Sequence, residues 1–379
     1  MSDRRLVKLK FGNNPVHFGE VGIGLEETSE RLCSDSLFSA WISLYARLWG
    51  ADAVERLLGE FHKSSSPPFR LSSTFVYQQR NDSDIFYLPK PRHHPRQYPS
   101  DDLAFFKKYK KLHYLPAKIW SRWYQGDGFS EQDKADLIAE TQMSNAGKTS
   151  LRQSGLFDYK TLAFEQKTLP QVAIDRRTAA TNLYQTGFVQ FINQEKQQEN
   201  KDKQQDNQEK QKAGLYFLLE FPQANPELEQ SLQATLQLLS EEGLGGRRSR
   251  GAGRFKFDWT PLPPALEQLF NPPHPPSHHC LLSLYWDDIS SLDSSLNESY
   301  YELRERRGWL SGSPSGMNLR RKSVTMFLEG SLFKHKPQGK LAEVTPSEFN
   351  RYRAKHPVYR SGVALSCPVR VKDVSEVQS

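Results

Sequence analysis

The stretch Gly243-Leu244-Gly245-Gly246-Arg247-Arg248-Ser249-Arg250-Gly251-Ala252-Gly253-Arg254 interrupts an otherwise regular run of secondary-structure signals. Its glycines let the backbone turn sharply and approach another backbone closely, while Arg247, Arg248, Arg250 and Arg254 bring planar donors suited to phosphate. Gly245 and Gly246, with these arginines, are candidate phosphate-tracking residues; the alternative is a flexible loop with solvated arginines. Upstream, Leu228, Leu232, Leu236 and Leu239 share one face and predict a helix over 226–242, stopped by Gly243. Downstream, Phe255, Phe257 and Trp259 alternate as a strand. A dinucleotide fingerprint is excluded, because the loop follows a helix and Arg248 stands where the third Gly of GxGxxG would fall.

Working outward, residues 215–221 read as a strong strand and 4–11 as a first strand, with Leu6, Leu9 and Phe11 interleaved with Arg and Lys. Ser34-Asp35-Ser36 opens an amphipathic helix carrying Leu37, Phe38, Trp41, Ile42, Leu44, Tyr45 and Leu48. Asp35 is therefore read as an N-cap ahead of any metal or acid-base role. Ser64-Ser65-Ser66-Pro67-Pro68 ends the helical region, and strands are expected at 71–78 and 85–88. Pro89-Lys90-Pro91-Arg92-His93-His94-Pro95-Arg96 is an extended basic loop whose Lys90 and Arg92 are candidate RNA contacts, and a basic run, Lys107, Lys108, Lys110 and Lys111, follows it.

Residues 170–191 read as a long hairpin with Arg176 and Arg177 near its bend and Tyr184, Phe188 and Phe191 on its return. Such a hairpin can wedge between nucleotides, or it is an ordinary solvent-exposed hairpin. Residues 194–212, almost wholly Gln, Lys, Glu, Asn and Asp, are expected to form a solvated, mobile insertion. A first domain over 1–260, a Pro-rich linker over 261–277 and a second α+β domain over 278–379, with strands near 281–286, 324–332 and 362–371, complete the expected organisation.

Lys and Arg number 51 against 44 Asp and Glu, a net +7 that points to an acidic partner. No apolar run reaches the roughly 20 residues a bilayer span needs, and the opening residues lack a signal-peptide core, so a cytoplasmic protein without membrane contact is expected. Cys33, Cys280 and Cys367 are too far apart for a CxxC zinc site and predict reduced, mostly buried thiols. Gly147-Lys148-Thr149 resembles the end of a P-loop, but Gln142 stands where its first Gly belongs. His93-His94 and His278-His279-Cys280 lack spacings that let ligands converge on zinc, so neither a metal nor another cofactor is expected. His17, in Val16-His17-Phe18-Gly19, could act as a base on a ribose 2′-hydroxyl, stack on a base or cap a turn.

These pieces resemble the RAMP superfamily of CRISPR proteins, RNA binders built on ferredoxin-like (RRM-like) βαββαβ domains with a Gly-rich loop after the second helix. More narrowly, Ser34-Asp35-Ser36-Leu37-Phe38, Pro68-Phe69-Arg70-Leu71-Ser72-Ser73, Tyr87-Leu88-Pro89-Lys90-Pro91, Lys110-Lys111-Leu112-His113-Tyr114-Leu115-Pro116 and Tyr359-Arg360-Ser361-Gly362-Val363-Ala364, in that order, resemble the subunit that caps the guide 5′ end in type III-A (Csm) effector complexes. The resemblance implies an α+β fold of two ferredoxin-like domains, with the hairpin at 170–191 as a projecting thumb. It implies a non-catalytic protein that grips the 5′ tag of the CRISPR RNA (crRNA) and contacts the large polymerase-like subunit and the first backbone RAMP subunit. Gly245, Gly246, Arg247, Arg248 and Arg250 would hold tag phosphates, with His17 nearby. The main rival is a metal-independent RAMP endoribonuclease using His17, but in that family the Gly-rich loop lies close to the C-terminus. A target-cleaving backbone subunit would use Asp35 with a divalent metal.

Overall fold

The computed structural model describes residues 2–19, 24, 26–63, 66–80, 83–99, 103–139, 163–194, 211–288, 296–310, 319–348 and 356–372. Its first half runs β1 (Asp3–Lys10), α1 (Ser34–Trp49), α2 (Ala51–Lys63), β2 (Arg70–Leu71), β3 (Phe75–Arg80), β4 (Ser83–Pro89), α3 (Leu103–Lys111), β5 (Tyr114–Pro116), α4 (Ala117–Tyr124) and α5 (Glu131–Ala139). Then follow β6 (Phe164–Ile174), β7 (Thr181–Phe191), β8 (Asn193–Gln194), β9 (Gln211–Phe221), α6 (Pro226–Glu242) and β10 (Lys256–Pro261).

The organising element is an antiparallel sheet of order β10-β1-β9-β3-β4-β5. Alternation in β1 sends Val7 and Leu9 to one face and Leu6 to the other, and both faces are buried. On the first face, Leu215, Phe217 and Leu219 of β9 meet α1 through Leu37, Phe38 and Trp41 and α6 through Leu232, Leu236 and Leu239. Trp41 donates its indole N–H to the Leu232 carbonyl at 3.0 Å, tying the two helices together. Phe217 lies at the centre of this layer, where truncation to Ala costs about 3–5 kcal/mol.

Local chemistry explains where the helices stop and start. Asn225 caps α6 by accepting the Leu228 N–H at 3.0 Å, and Pro226 fills the first turn, where a missing N–H costs nothing. Both α1 and α6 end at a glycine, Gly50 and Gly243, whose φ values of 86° and 92° favour a residue without Cβ. The helices α4 and α5 were not expected from the sequence. For α4 the signal was present, since Ile119, Trp120, Trp123 and Tyr124 share one buried face directly after Pro116.

On the opposite sheet face, Leu6, Phe75, Tyr216 and Leu218 pack with Phe105, Trp120 and Trp123 from α3 and α4. Cys280, Leu282, Leu365, Cys367 and Val369 join the same core, as do Leu266 and Leu269 from the Pro-rich stretch. The C-terminal region is built of short antiparallel pairings, including His278–Leu281 with Ser366–Val369 and with Leu332–Phe333. Its strands are shorter than the sequence suggested. The expected strand over 324–332 is split into Val324–Phe327 and Leu332–Phe333 by a turn at Gly330, which has φ 86° and accepts the Arg92 N–H at 2.8 Å. Among the described residues of 278–372 there is no α-helix.

The hairpin β6–β7 is longer than expected. Its register is unbroken from Phe164↔Phe191 to Ile174↔Thr181, so its first strand starts before residue 170. Of the polar insertion at 194–212, residues 195–210 lie outside the described residues, as does Gly147-Lys148-Thr149. The ends of the insertion are paired strands, with Gln194 opposite Gln211.

Candidate nucleic-acid interface

The Gly/Arg loop leaves the end of α6 and folds back on the segment after β1. Gly246 donates its N–H to the His17 carbonyl at 2.8 Å, and Gly253 donates to the Pro15 carbonyl at 2.9 Å. This approach is possible because Gly245 has φ 93° and no side chain: a Cβ there would sit 2.5 Å from the His17 oxygen. Residues 248–250 form one 3-10 turn, entered through Arg247 at φ 60°, an uncommon conformation for a residue with a side chain.

The hairpin docks on the other side of the same segment. Val16 and Val189 exchange backbone hydrogen bonds of 2.8 Å, and His17 Nδ1 lies 2.7 Å from the Gly187 carbonyl oxygen. His17 is only 6% exposed and its ring meets Phe188 edge-on at 6.0 Å. Cβ atoms at Gly19 or Gly246 would run into that ring. A ring so enclosed, with one nitrogen committed to a backbone carbonyl, joins the loop to the hairpin and offers little surface to a ribose.

Tyr184 on β7 completes the arrangement. The Arg247 guanidinium stands 5.4 Å from its ring centroid, and Arg250 Nη2 lies 3.3 Å from its hydroxyl. Arg248, Arg250 and Arg254 are exposed, and Arg248 has a distant acid neighbour, Glu242, at 3.9 Å. Arg247 and Arg250 thus meet Tyr184 beside Gly245 and Gly246, with His17 buried at the junction and Arg248 and Arg254 exposed on the same loop. Arg176 and Arg177 are exposed at the hairpin bend, where Asp175 Oδ1 accepts the Arg177 N–H at 2.8 Å. Strand geometry puts that bend roughly 20 Å beyond the Gly187 level.

Lys90 and Arg92 belong to a different place. Lys90 donates to the Tyr109 carbonyl at 2.8 Å, and Arg92 pairs with Glu302 at 2.7 Å. Together they line a cleft of about 740 Å³ between α3 and the C-terminal region.

Asp35 requires a correction. The residue preceding α1 is Cys33, which makes no side-chain cap, and Asp35 lies inside the first turn. Its carboxylate is fully buried between Arg306, at 3.0 Å, and Arg360. Burial alone would raise this carboxyl, but the two guanidinium groups hold it below the usual carboxylate range. Both oxygens are occupied by arginine, so the side chain is a joint between α1 and the C-terminal region and has no free lone pair to offer a metal. A second joint lies beside it, where Arg31 pairs with buried Glu329 at 3.0 Å and Glu329 accepts from Ser73. The sequence held no signal for these pairs, whose members are hundreds of positions apart. His93 stacks on Tyr300 at 3.9 Å and His94 on Tyr98 at 3.9 Å, so these adjacent histidines point to separate partners, and His278 Nε2 faces the Glu298 carbonyl at 2.9 Å.

Among the described residues no helix is long and apolar enough to cross a membrane. Residues 274–369 match the family model described as the CRISPR Csm4 C-terminal domain. A curated Csm4 protein from Methanocaldococcus jannaschii is 26% identical over 95% of this chain and 96% of its own length. One from Streptococcus thermophilus is 22% identical over 88% and 90%, and one from Mycobacterium tuberculosis is 25% identical over 92% and 93%. Among solved structures, the Csm3-Csm4 subcomplex of the type III-A CRISPR-Cas interference complex contains a chain that superposes with a TM-score of 0.59 at 18% identity, covering 96% of this chain and 99% of the other. A chain of the Csm1-Csm4 cassette in complex with cA4 gives 0.52 at 16% identity, with coverage of 98% and 100%. The mixed α+β architecture with antiparallel sheets is therefore similar to that of Csm4 structures, and the chain resembles Csm4 proteins of CRISPR systems from end to end, with its C-terminal residues 274–369 matching their C-terminal domain.

Proposed function

We propose that this chain is the crRNA-binding subunit of a type III-A (Csm) interference complex, gripping the 5′ repeat-derived tag and bridging the large polymerase-like subunit to the backbone RAMP subunit. The observation that carries this reading is the junction at His17, where a Gly/Arg loop and a long hairpin converge on one segment and bring Arg247 and Arg250 against Tyr184, with Arg248 and Arg254 exposed on the same loop. Arg247, Arg248, Arg250 and Arg254 take phosphates, Gly245 and Gly246 allow the strand to come close, and Arg176 and Arg177 reach forward on the hairpin as a thumb. Its relatives occur in structures with Csm3 and with Csm1, which supports the bridging role.

The sheet order supports a ferredoxin-like reading of residues 1–260. Taken as a βαββαβ unit of β1, α1, β3, β9, α6 and β10, the order β10-β1-β9-β3 places the fourth strand beside the first, then the third, then the second. The second domain, expected over 278–379 after a 261–277 linker as another ferredoxin-like α+β unit, rests on antiparallel strand pairings, and the two helices such a unit needs do not occur among its described residues. The subunit is cytoplasmic and non-catalytic on this reading, since His17 is committed to the loop–hairpin junction and Asp35 to two arginines.

Reconstitution tests the assignment. The full chain, mixed with guide RNA and the large and backbone subunits of a type III-A complex, is expected to enter the complex in a single copy at the tag end. Multiple copies per complex, or specific cleavage of repeat RNA by the purified chain that His17→Ala abolishes, would overturn it.

A further inference from the structure

The cleft holding Lys90 is separate from the Gly/Arg loop and has its own chemistry. Its charged lining is only partly self-neutralised: Arg92 is matched by Glu302 at 2.7 Å and Arg31 by Glu329 at 3.0 Å. Lys90 has no acid partner among the described residues. Its ammonium is spent on the Tyr109 carbonyl at 2.8 Å and on the Tyr109 ring face at 4.3 Å. Burial, with Arg92 alongside, pushes the ammonium down to about 8, as expected of a cation desolvated without a counter-anion. Lys110 adds an exposed cation to the same wall. Phe106, 43% exposed on α3, presents an uncovered ring to the cleft, and Glu30, also in its lining, supplies a carboxylate able to accept from sugar hydroxyls. At about 740 Å³ the cleft falls within the range of small-ligand sites.

We propose that this cleft binds a nucleoside monophosphate, free or as one residue of an RNA strand, with phosphate on Lys90 and Lys110, the sugar toward Glu30 and the base against Phe106. An anion there supplies the missing counter-charge for Lys90, and an exposed aromatic beside it selects a base over a simple acid. The site is distinct from the loop surface proposed for the tag, so either assignment can fail alone.

The test uses the full-length chain in two arms, calorimetric titration with adenosine and guanosine 5′-monophosphates and anisotropy with a short 5′-phosphorylated single-stranded RNA. Unphosphorylated nucleosides and a poly-glutamate peptide serve as competitors. Binding in at least one arm is expected, weakened about tenfold or more by Lys90→Met and severalfold by Phe106→Ser, and unchanged by joint Arg247, Arg248 and Arg250→Ala in the monophosphate arm. The arm that responds identifies the source of the phosphate. If Lys90→Met lowers the melting temperature, exposed Lys110→Met takes its place with the same expectation. No binding in either arm, indifference to both lysine variants, or competition by poly-glutamate as strong as by nucleotide would overturn the proposal. Loss on the triple arginine variant with indifference to Lys90 would transfer the ligand to the loop.

Discussion

Arg306 donates its Nε proton to the Asp35 carboxylate at 3.0 Å, joining two residues 271 positions apart at a point where the carboxylate is fully buried and the guanidinium nearly so. Arg360 reaches the same carboxylate oxygen from a second strand. The pairing fixes the start of α1 against the C-terminal region. Removing the acid leaves two guanidinium groups in a desolvated site, the costly way to break a buried pair. Asp35→Ala is expected to destabilise the protein by about 3–5 kcal/mol, read as a lower urea midpoint. A loss below about 1 kcal/mol would show that the site readmits water and is no joint.

The Gly/Arg loop has its own signature in salt. Joint replacement of Arg247, Arg248 and Arg250 by Ala is expected to weaken guide-RNA binding and to flatten the slope of log affinity against log salt by about two units, since each single-strand phosphate contact releases roughly 0.7 of a counterion. An unchanged slope would detach these residues from the RNA.

Gly245 tests the junction without touching charge. Gly245→Ala places a Cβ 2.5 Å from the His17 oxygen at a φ of 93°, so the loop must lift from the segment it grips. A local cost of about 1–3 kcal/mol is expected. Hydrogen exchange should accelerate at the Gly246 and Gly253 amides, and guide-RNA affinity should fall while all four arginines remain. Retained protection at Gly246 would sink the role given to the glycine.

Stability should decline in mild acid. Burial, with His93 and Lys90 nearby, pushes His94 down to about 4, and burial with Lys336 nearby does the same to His279. In the unfolded chain both rings return toward 6.5, so between that value and about 4 the unfolded state binds more protons and stability drops as pH falls. Both rings are partly exposed, so the combined effect between neutrality and about pH 5 is on the order of 1 kcal/mol, read as a lower urea midpoint. A midpoint that holds or rises on acidification would contradict these environments.

The three thiols are expected to be inert in the folded protein. Cys33, Cys280 and Cys367 are all buried, and burial pushes Cys33 up to about 12 and raises the other two as well. A thiol reagent should titrate them only on unfolding. Fast reaction of even one in native buffer would show that its element opens.

What the sequence alone determined was local: α6 with its leucine face and glycine stop, the alternation of β1, the apolar stripe of α1 and the two strands of the hairpin all follow from spacing within a few residues of each position. The Gly/Arg loop was legible for the same reason, because a run of glycines and arginines states its conformational freedom and charge without any partner. Asp35 was misread because capping is a local expectation and its true partners, Arg306 and Arg360, are supplied only by the chain's return. Lys90 and Arg92, similar to the loop arginines as sequence, were separated from them by packing, which set Lys90 over Tyr109 and Arg92 against Glu302. Charge and propensity are properties of a residue and its neighbours in sequence, whereas desolvation and pairing depend on which distant segments come together, and that only the tertiary structure decided.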